Sequence, residues 1–220
     1  AKTFKHEGDV ASLKKAFRAY MLSALDNKIK AGLDTAQLIA ARLQQMTLNA
    51  DLVLDLHTGE VSDRHLYAPS YTLDSTQYFN VPFVLSIDNG FDGATDEAVF
   101  CPWWTLAQAR NLDVKHFGVE AFTLEVGSQE MIDFDAAKID AEGIVEYLKH
   151  QGALEGDAIK TTMKQTVRTL DNYKTFHAPT GGLVEYAVEP GEHLEAGQVF
   201  ARILNINHYG TEKCFTNCVL

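Results

Sequence analysis

The chain has 220 residues, 46% of them apolar and 22% charged, with a formal net charge of −11. This composition predicts a globular protein with one large domain, or one medium domain and a small module. The acidic balance argues against nucleic acid and anionic membranes as partners, because clustered Lys and Arg bind both. It does not exclude a small anionic substrate, since local charge inside a cleft outweighs net charge.

Cysteine content and hydropathy indicate the cellular compartment of the protein. The chain has three cysteines, Cys101, Cys214 and Cys218, which cannot form a disulfide framework. Their odd number in a chain of this length predicts reduced thiols and a cytoplasmic protein. No stretch reaches the roughly 18 apolar residues that a membrane span needs.

Two amphipathic helices are predicted before the first strand. Asp9 can cap a helix that runs to about Lys30, and Asp34 begins a capping box for a second helix that ends near Asn49. Apolar residues recur in both at the i, i+3, i+4 spacing. We therefore expect the two helices to cover one face of a sheet.

Residues 51–59 form the stretch on which the interpretation depends. An apolar run typical of a buried strand is followed by Asp55 and His57, which the period of two places on one face. Chemistry collects at the carboxyl ends of strands in open α/β sheets, and an imidazole beside carboxylates suits a zinc site. A hydrogen-bonded pair at a strand end, without metal, is the structural alternative.

A polar connection is predicted over residues 58–71. It contains Arg64 and His65, which are candidates for substrate contacts because loops on a rigid scaffold often carry binding residues. A solvated loop without a binding role explains the same composition equally well.

The middle of the chain predicts a buried strand over residues 83–87. Residues 98–101 are expected to form a further short strand, and Pro102 is expected to open a helix that continues to about Leu112. Trp103 and Trp104 are interpreted as packing residues.

A second acid lies near the end of an apolar strand predicted over residues 119–126. Phe122, Leu124 and Val126 alternate with Ala121, Thr123 and Glu125, so Glu125 lies on a face of small residues. This position suits a general base at the rim of a cleft. A buried acid paired with Lys or Arg is the alternative.

The last third of the chain changes character. Asp135 can cap a helix that continues through Leu148, and Gly152 ends it. From about Thr162 the apolar period becomes two, and Gly and Pro become frequent. We therefore predict a catalytic portion over residues 1–160 and a β-rich C-terminal module over residues 161–220.

These motifs together resemble one family. The sequence Asp-Leu-His-Thr-Gly at residues 55–59, followed by Thr-Leu-Glu-Val-Gly at residues 123–127, is similar to the succinylglutamate desuccinylase/aspartoacylase family. Residues 178–183, with Gly191 and Gly197, look like the family's C-terminal domain. The resemblance implies an α/β fold with a zinc-carboxypeptidase-like three-layer αβα core and a C-terminal β-barrel-like module.

The resemblance also implies a mechanism. One zinc ion per subunit would activate water for hydrolysis of the amide bond in a small N-acyl amino acid. His57 would be one of three zinc ligands, Glu125 the general base, and Asp55 the residue that orients His57. Whether subunits associate as homo-oligomers is left open.

The sequence departs from the family pattern in two places. The His-Gly-x-Glu motif that supplies the other two zinc ligands is not found, nor is the Arg segment that holds the substrate carboxylate. We therefore expect the chain to start partway through the protein, with those ligands outside it. Two alternative functions are a carboxypeptidase-type peptidase on the same scaffold and a non-catalytic scaffold protein that has lost the site.

Overall fold

The structure is a computed structural model that describes residues 4–220, so the first three residues of the predicted 1–160 portion lie outside it. The first part of the chain contains α1 (Val10–Lys30), α2 (Thr35–Thr47), β1 (Leu52–Gly59), β2 (His65–Pro69), β3 (Phe83–Ile87) and α3 (Thr95–Arg110). The second part contains β4 (Glu120–Ser128), α4 (Phe134–His150), β5 (Thr166–Thr169), β6 (Leu183–Tyr186), β7 (Val199–Leu204) and β8 (Phe215–Val219).

Five strands form a mixed sheet in the order β1-β4-β2-β3-β5. β1 is parallel to β4, and β2 and β5 are both parallel to β3. β2 and β4 are antiparallel, so the two parallel groups run in opposite directions. Consequently the carboxyl ends of β1 and β4 lie at the same edge as the start of β2.

Helices cover both faces of this sheet, and each face has its own core. On one face, Phe17 of α1 and Trp103 of α3 pack in a cluster with Ala121 of β4. On the other face, Tyr147 of α4 packs with Phe122 and Leu124. The alternation predicted for β4 is therefore confirmed, with its larger apolar side chains on the α4 side. Burial of each such side chain contributes about 1.5–3 kcal/mol.

The predicted starts of the first two helices are confirmed. The Asp9 side chain accepts a hydrogen bond from the Ser12 amide, and the Asp34 side chain accepts one from the Gln37 amide, each at 2.8 Å. The start of α4 differs from the prediction by two residues. Its cap is Asp133, whose carboxylate accepts the amide of Asp135.

The predicted short strand over residues 98–101 is wrong. These residues lie inside α3, and Pro102 lies within the helix rather than at its start. Proline lacks the amide that would bond to the carbonyl four residues earlier, here that of Ala98. Gln44 of α2 donates to this carbonyl at 2.9 Å, so α2 satisfies the acceptor that Pro102 leaves free.

The connection predicted over residues 58–71 is wrong in part, because it contains β2. Leu66 and Ala68 of β2 are fully buried, while His65 and Tyr67 point to the opposite face. A five-residue strand that directly follows the polar residues Asp63 and Arg64 gives too short an alternating pattern to be distinguished from a loop.

The C-terminal strands β6, β7 and β8 form a separate three-stranded antiparallel sheet. β5 belongs to the first sheet, so the second sheet starts at Leu183 and not directly after the predicted boundary. Gly191 (φ 83°), in the turn between β6 and β7, lies against Asp63, and a Cβ at this position would overlap the Asp63 carboxylate. The division into two domains and closure of the module into a barrel stay predictions.

Within residues 4–220, the structure contains no helix of the length and apolar character that crossing a membrane requires.

Candidate functional site

Three titratable side chains form a row across neighbouring strands. His57 of β1 is paired with Glu125 of β4, and Glu125 is paired with His65 of β2. Residues directly opposite one another in a sheet point to the same face. The prediction that His57 and Glu125 share one edge of one sheet is therefore confirmed, and His65 joins them.

His57 is held by Asp55 of the same strand. Its Nε2 lies 3.0 Å from Asp55 Oδ1, and the His57 side chain is 52% exposed. In neutral His57, a proton on Nε2 donates to Asp55 and leaves the lone pair on Nδ1. The contact predicted from the Asp-x-His spacing is present, and it leaves Nδ1 as the ring nitrogen that does not contact Asp55.

Glu125 is half-buried, and its Oε2 is buried without a hydrogen-bond partner among residues 4–220. In this part of the chain, no Lys or Arg forms an ion pair with it. The structural alternative for Glu125, a buried acid neutralised by a basic residue, is therefore not observed. A carboxylate oxygen without a protein partner can accept a hydrogen bond from water or substrate.

His65 and Tyr67 of β2 form an aromatic wall beside Glu125. His65 Nδ1 lies 2.9 Å from the Asp63 carbonyl oxygen, and the two rings meet edge to face with centroids 5.2 Å apart. Burial raises the pKa of Tyr67, and the charges of Tyr173, Glu125 and Asp96 raise it further. Tyr67 therefore remains a neutral hydrogen-bond donor near Glu125.

Arg64 points away from this row. Its Nη1 donates to Asp140 Oδ1 at 2.8 Å and to the Asn80 carbonyl oxygen at 3.2 Å. Burial raises the pKa of Asp140, while the Arg64 charge acts in the opposite direction. The structure thus brings His65 to the site and places Arg64 against α4. The predicted substrate contact of Arg64 stays a prediction, and it would require breaking this ion pair.

A second row lies one pleat behind the first, and the sequence interpretation gave a role only to its member Asp55. Thr123 of β4 is paired with Asp55 on one side and with Tyr67 on the other. Asp96, in the first turn of α3, is only 2% exposed, and its Oδ2 has no hydrogen-bond partner within residues 4–220. Acids in the first turn of a helix are common and are usually solvated, so nothing in the sequence marked Asp96.

The residues present fit part of a zinc site. His57 offers one nitrogen ligand and Glu125 offers a base with an unpartnered oxygen. No group of three or more His, Cys, Asp or Glu within residues 4–220 could hold a metal ion. The described chain therefore supplies one candidate ligand and one candidate base, but not a complete ligand set.

Comparison with known proteins establishes the family. The profile of the succinylglutamate desuccinylase/aspartoacylase catalytic domain matches residues 12–151, a range that contains both His57 and Glu125. The chain belongs to this family. No curated protein matches the chain significantly.

Solved structures agree with the family assignment. A succinylglutamate desuccinylase/aspartoacylase family protein from Shewanella amazonensis is 38% identical, with a TM-score of 0.87, over 100% of this chain and 64% of its own. A second protein of that description, from Shewanella frigidimarina, is 38% identical with a TM-score of 0.86, over 100% and 63%. The chain therefore spans just under two thirds of the length of these relatives.

A more distant structure shows the same fold. The ectoine utilization protein EutE (DoeB) from Ruegeria pomeroyi, solved with product bound, is 19% identical with a TM-score of 0.61. The similarity covers 84% of this chain and 55% of that protein.

Proposed function

We propose that this chain carries part of the active site of a zinc-dependent hydrolase that cleaves the amide bond of a small N-acyl amino acid. The observation that carries the proposal is the pairing of His57 with Glu125 at one sheet edge, within the region that matches the family's catalytic domain. We also propose that the α/β core has the zinc-carboxypeptidase-like three-layer arrangement. We place the activity in the cytoplasm, because Cys101, Cys214 and Cys218 are all free thiols.

The proposed roles follow from the contacts of each side chain. Asp55 holds the His57 ring through Nε2, which would leave Nδ1 as the ligand atom. A zinc ion bound there would polarise a water molecule and lower its pKa towards about 7. Glu125 Oε2 would accept the proton of the attacking water and return it to the leaving amine.

His65 and Tyr67 would form one wall of the substrate site. Tyr67 can donate a hydrogen bond through its hydroxyl, and His65 can donate or accept through the ring nitrogen that does not contact Asp63. Both side chains suit a small polar substrate that presents carbonyl and carboxylate oxygens.

Two variants of the full-length protein separate the proposed roles. Glu125→Gln should lower turnover of N-acyl amino acids by about 10²–10⁴-fold while zinc stays bound, because glutamine keeps the size but cannot accept the proton. His57→Ala should lose both zinc and turnover, because one protein ligand is removed. Bound zinc and released amino acid would be measured for each variant.

Near-normal turnover in Glu125→Gln would contradict the role of Glu125 as the base. Full zinc content in His57→Ala would contradict the role of His57 as a ligand. Absence of amide hydrolysis by the wild-type protein across a panel of N-acyl amino acids would overturn the proposed activity.

A further inference from the structure

The contacts of His65 determine which of its two ring nitrogens can receive a ligand. Its Nδ1 lies 2.9 Å from the Asp63 carbonyl oxygen, and its ring meets that of Tyr67 edge to face. A carbonyl oxygen carries no proton, so Nδ1 must supply the proton of this hydrogen bond. In the neutral ring, Nε2 is therefore a hydrogen-bond acceptor. Among residues 4–220, Nε2 has no hydrogen-bond partner of its own.

The connection before β2 fixes the carbonyl group that holds this ring. The Ser62 hydroxyl donates to the same Asp63 carbonyl oxygen at 2.9 Å, and Asp63 Oδ1 accepts the Arg64 amide at 2.7 Å. The Arg64 side chain in turn donates to Asp140 of α4 at 2.8 Å. A side chain that is held by such contacts before substrate arrives loses little freedom on binding. The orientation of the His65 ring is therefore set in the free protein.

The order of the row corresponds to the order of the reacting atoms. Glu125 is paired with His57 on one side and with His65 on the other, and the antiparallel pair brings the Cβ atoms of Glu125 and His65 to about 5 Å. Hydrolysis adds the water oxygen to the acyl carbon, breaks the carbon–nitrogen bond and gives the nitrogen one proton. Since Glu125 would deliver that proton, the amide nitrogen must come within hydrogen-bond reach of Glu125. With the acyl carbonyl towards His57, the nitrogen lies towards His65.

We propose that His65 is a catalytic residue whose Nε2 accepts the N–H of the scissile amide. This role rests on the proposed function and adds a preference for secondary amides, which carry one such N–H. Glu125 Oε2 is the other unpartnered acceptor of the row, and the attacking water requires it. The hydrogen bond to His65 fixes the rotation of the nitrogen, so that its lone pair faces Glu125 as the carbon–nitrogen bond breaks.

The test compares two substrates of the full-length protein that differ at a single position. One is an N-acyl amino acid, and the other is the matching ester, in which oxygen replaces the N–H. His65→Leu should lower kcat/KM for the amide by about 5- to 100-fold, because the amide N–H is left without an acceptor. For the ester, which has no N–H, the same variant should change kcat/KM by less than about twofold.

Two further variants make the comparison specific to the acceptor. In His65→Gln, the side-chain carbonyl oxygen can accept a hydrogen bond near the position of Nε2, so kcat/KM for the amide should return to within about fivefold of the wild-type value. His150→Leu is the matched control, because it makes the same change outside the row, where the His150 ring stacks on Tyr78 with centroids 4.0 Å apart. The control should leave the ratio of amide to ester turnover unchanged.

The tautomer of His65 can be measured without any substrate. The ¹⁵N chemical shifts of the neutral His65 ring in the wild-type protein should show a protonated Nδ1 and an unprotonated Nε2, because Nδ1 donates to Asp63. This measurement and the His65→Gln variant also carry the test if His65→Leu does not fold.

The outcomes separate the role of His65 from the proposed function. Equal losses of amide and ester turnover in His65→Leu, or a proton on Nε2 of the neutral ring, would overturn the role of His65 while the hydrolase activity stands. If the wild-type protein hydrolyses neither substrate, the proposed function fails, and the role of His65 fails with it.

Discussion

Removal of the Asp55 carboxylate gives the most direct test of how His57 is prepared for a metal. In Asp55→Ala, the 3.0 Å contact between Asp55 Oδ1 and His57 Nε2 is lost, and the ring becomes free to rotate and to exchange tautomers. Loss of such a partner of a metal-binding histidine typically costs 10–100-fold in metal affinity or activity, which corresponds to about 1.4–2.7 kcal/mol.

The exposures of the two side chains refine this magnitude. Asp55 is 24% exposed and His57 is 52% exposed, so water can replace part of the lost hydrogen bond. We therefore expect the lower half of the range, about 10- to 30-fold weaker zinc binding. If Asp55 and His57 were almost completely buried, the expected loss of zinc affinity would lie in the upper half of the range.

The assay is a competition titration of the full-length protein with a zinc chelator of known affinity. Asp51→Ala is the control, because Asp51 precedes the same strand and pairs with Lys14 and Arg18 at 2.5 and 2.6 Å, away from His57. Zinc affinity should be unchanged in the control. Equal affinity of Asp55→Ala and wild type would refute the assigned role of Asp55.

Three further predictions concern stability. Gly143→Ala should destabilise the protein by about 1–3 kcal/mol, because the new Cβ would lie 2.5 Å from the Asn80 amide nitrogen. Denaturant unfolding measures this change, and unchanged stability would contradict the close packing at Gly143. Arg64→Ala should destabilise the protein by about 3–5 kcal/mol, because Asp140 is left buried and unpaired. A raised KM without loss of stability would instead favour a role for Arg64 in substrate binding. Burial raises the pKa of Glu120, so its protonated form stabilises the fold below the ordinary carboxyl pKa, and this contribution is lost as the pH rises through the raised pKa. The melting temperature of the wild type should therefore fall relative to that of Glu120→Gln as the pH rises from the ordinary pKa to the raised one. Parallel melting-temperature profiles of the two proteins would refute the raised pKa.

Local signals were sufficient to predict the elements that carry the site. The Asp9 and Asp34 caps lie next to the helices they start, and the apolar runs around Asp55 and Glu125 are long enough to identify strands. The motif order led to the family, which the match over residues 12–151 confirms.

Long-range contacts explain what could not be predicted. The interior position of Pro102 depends on Gln44 of another helix, and no local pattern reports such a contact. His65 lies beside Glu125 because β2 pairs antiparallel with β4, and this pairing depends on the order of the strands in the sheet. The burial of Asp96 depends on how α3 packs against the sheet, which no local sequence pattern shows.

β1 lies at the margin of the five-stranded sheet formed by residues 4–220, whereas β4 lies inside it. Among the described strands, β1 is hydrogen-bonded to β4 alone, while β4 is hydrogen-bonded on both sides. Local opening is easier where fewer backbone hydrogen bonds must break together. Within residues 4–220, His57 therefore lies on the strand that opens more easily, and Glu125 lies on the strand that is held on both sides.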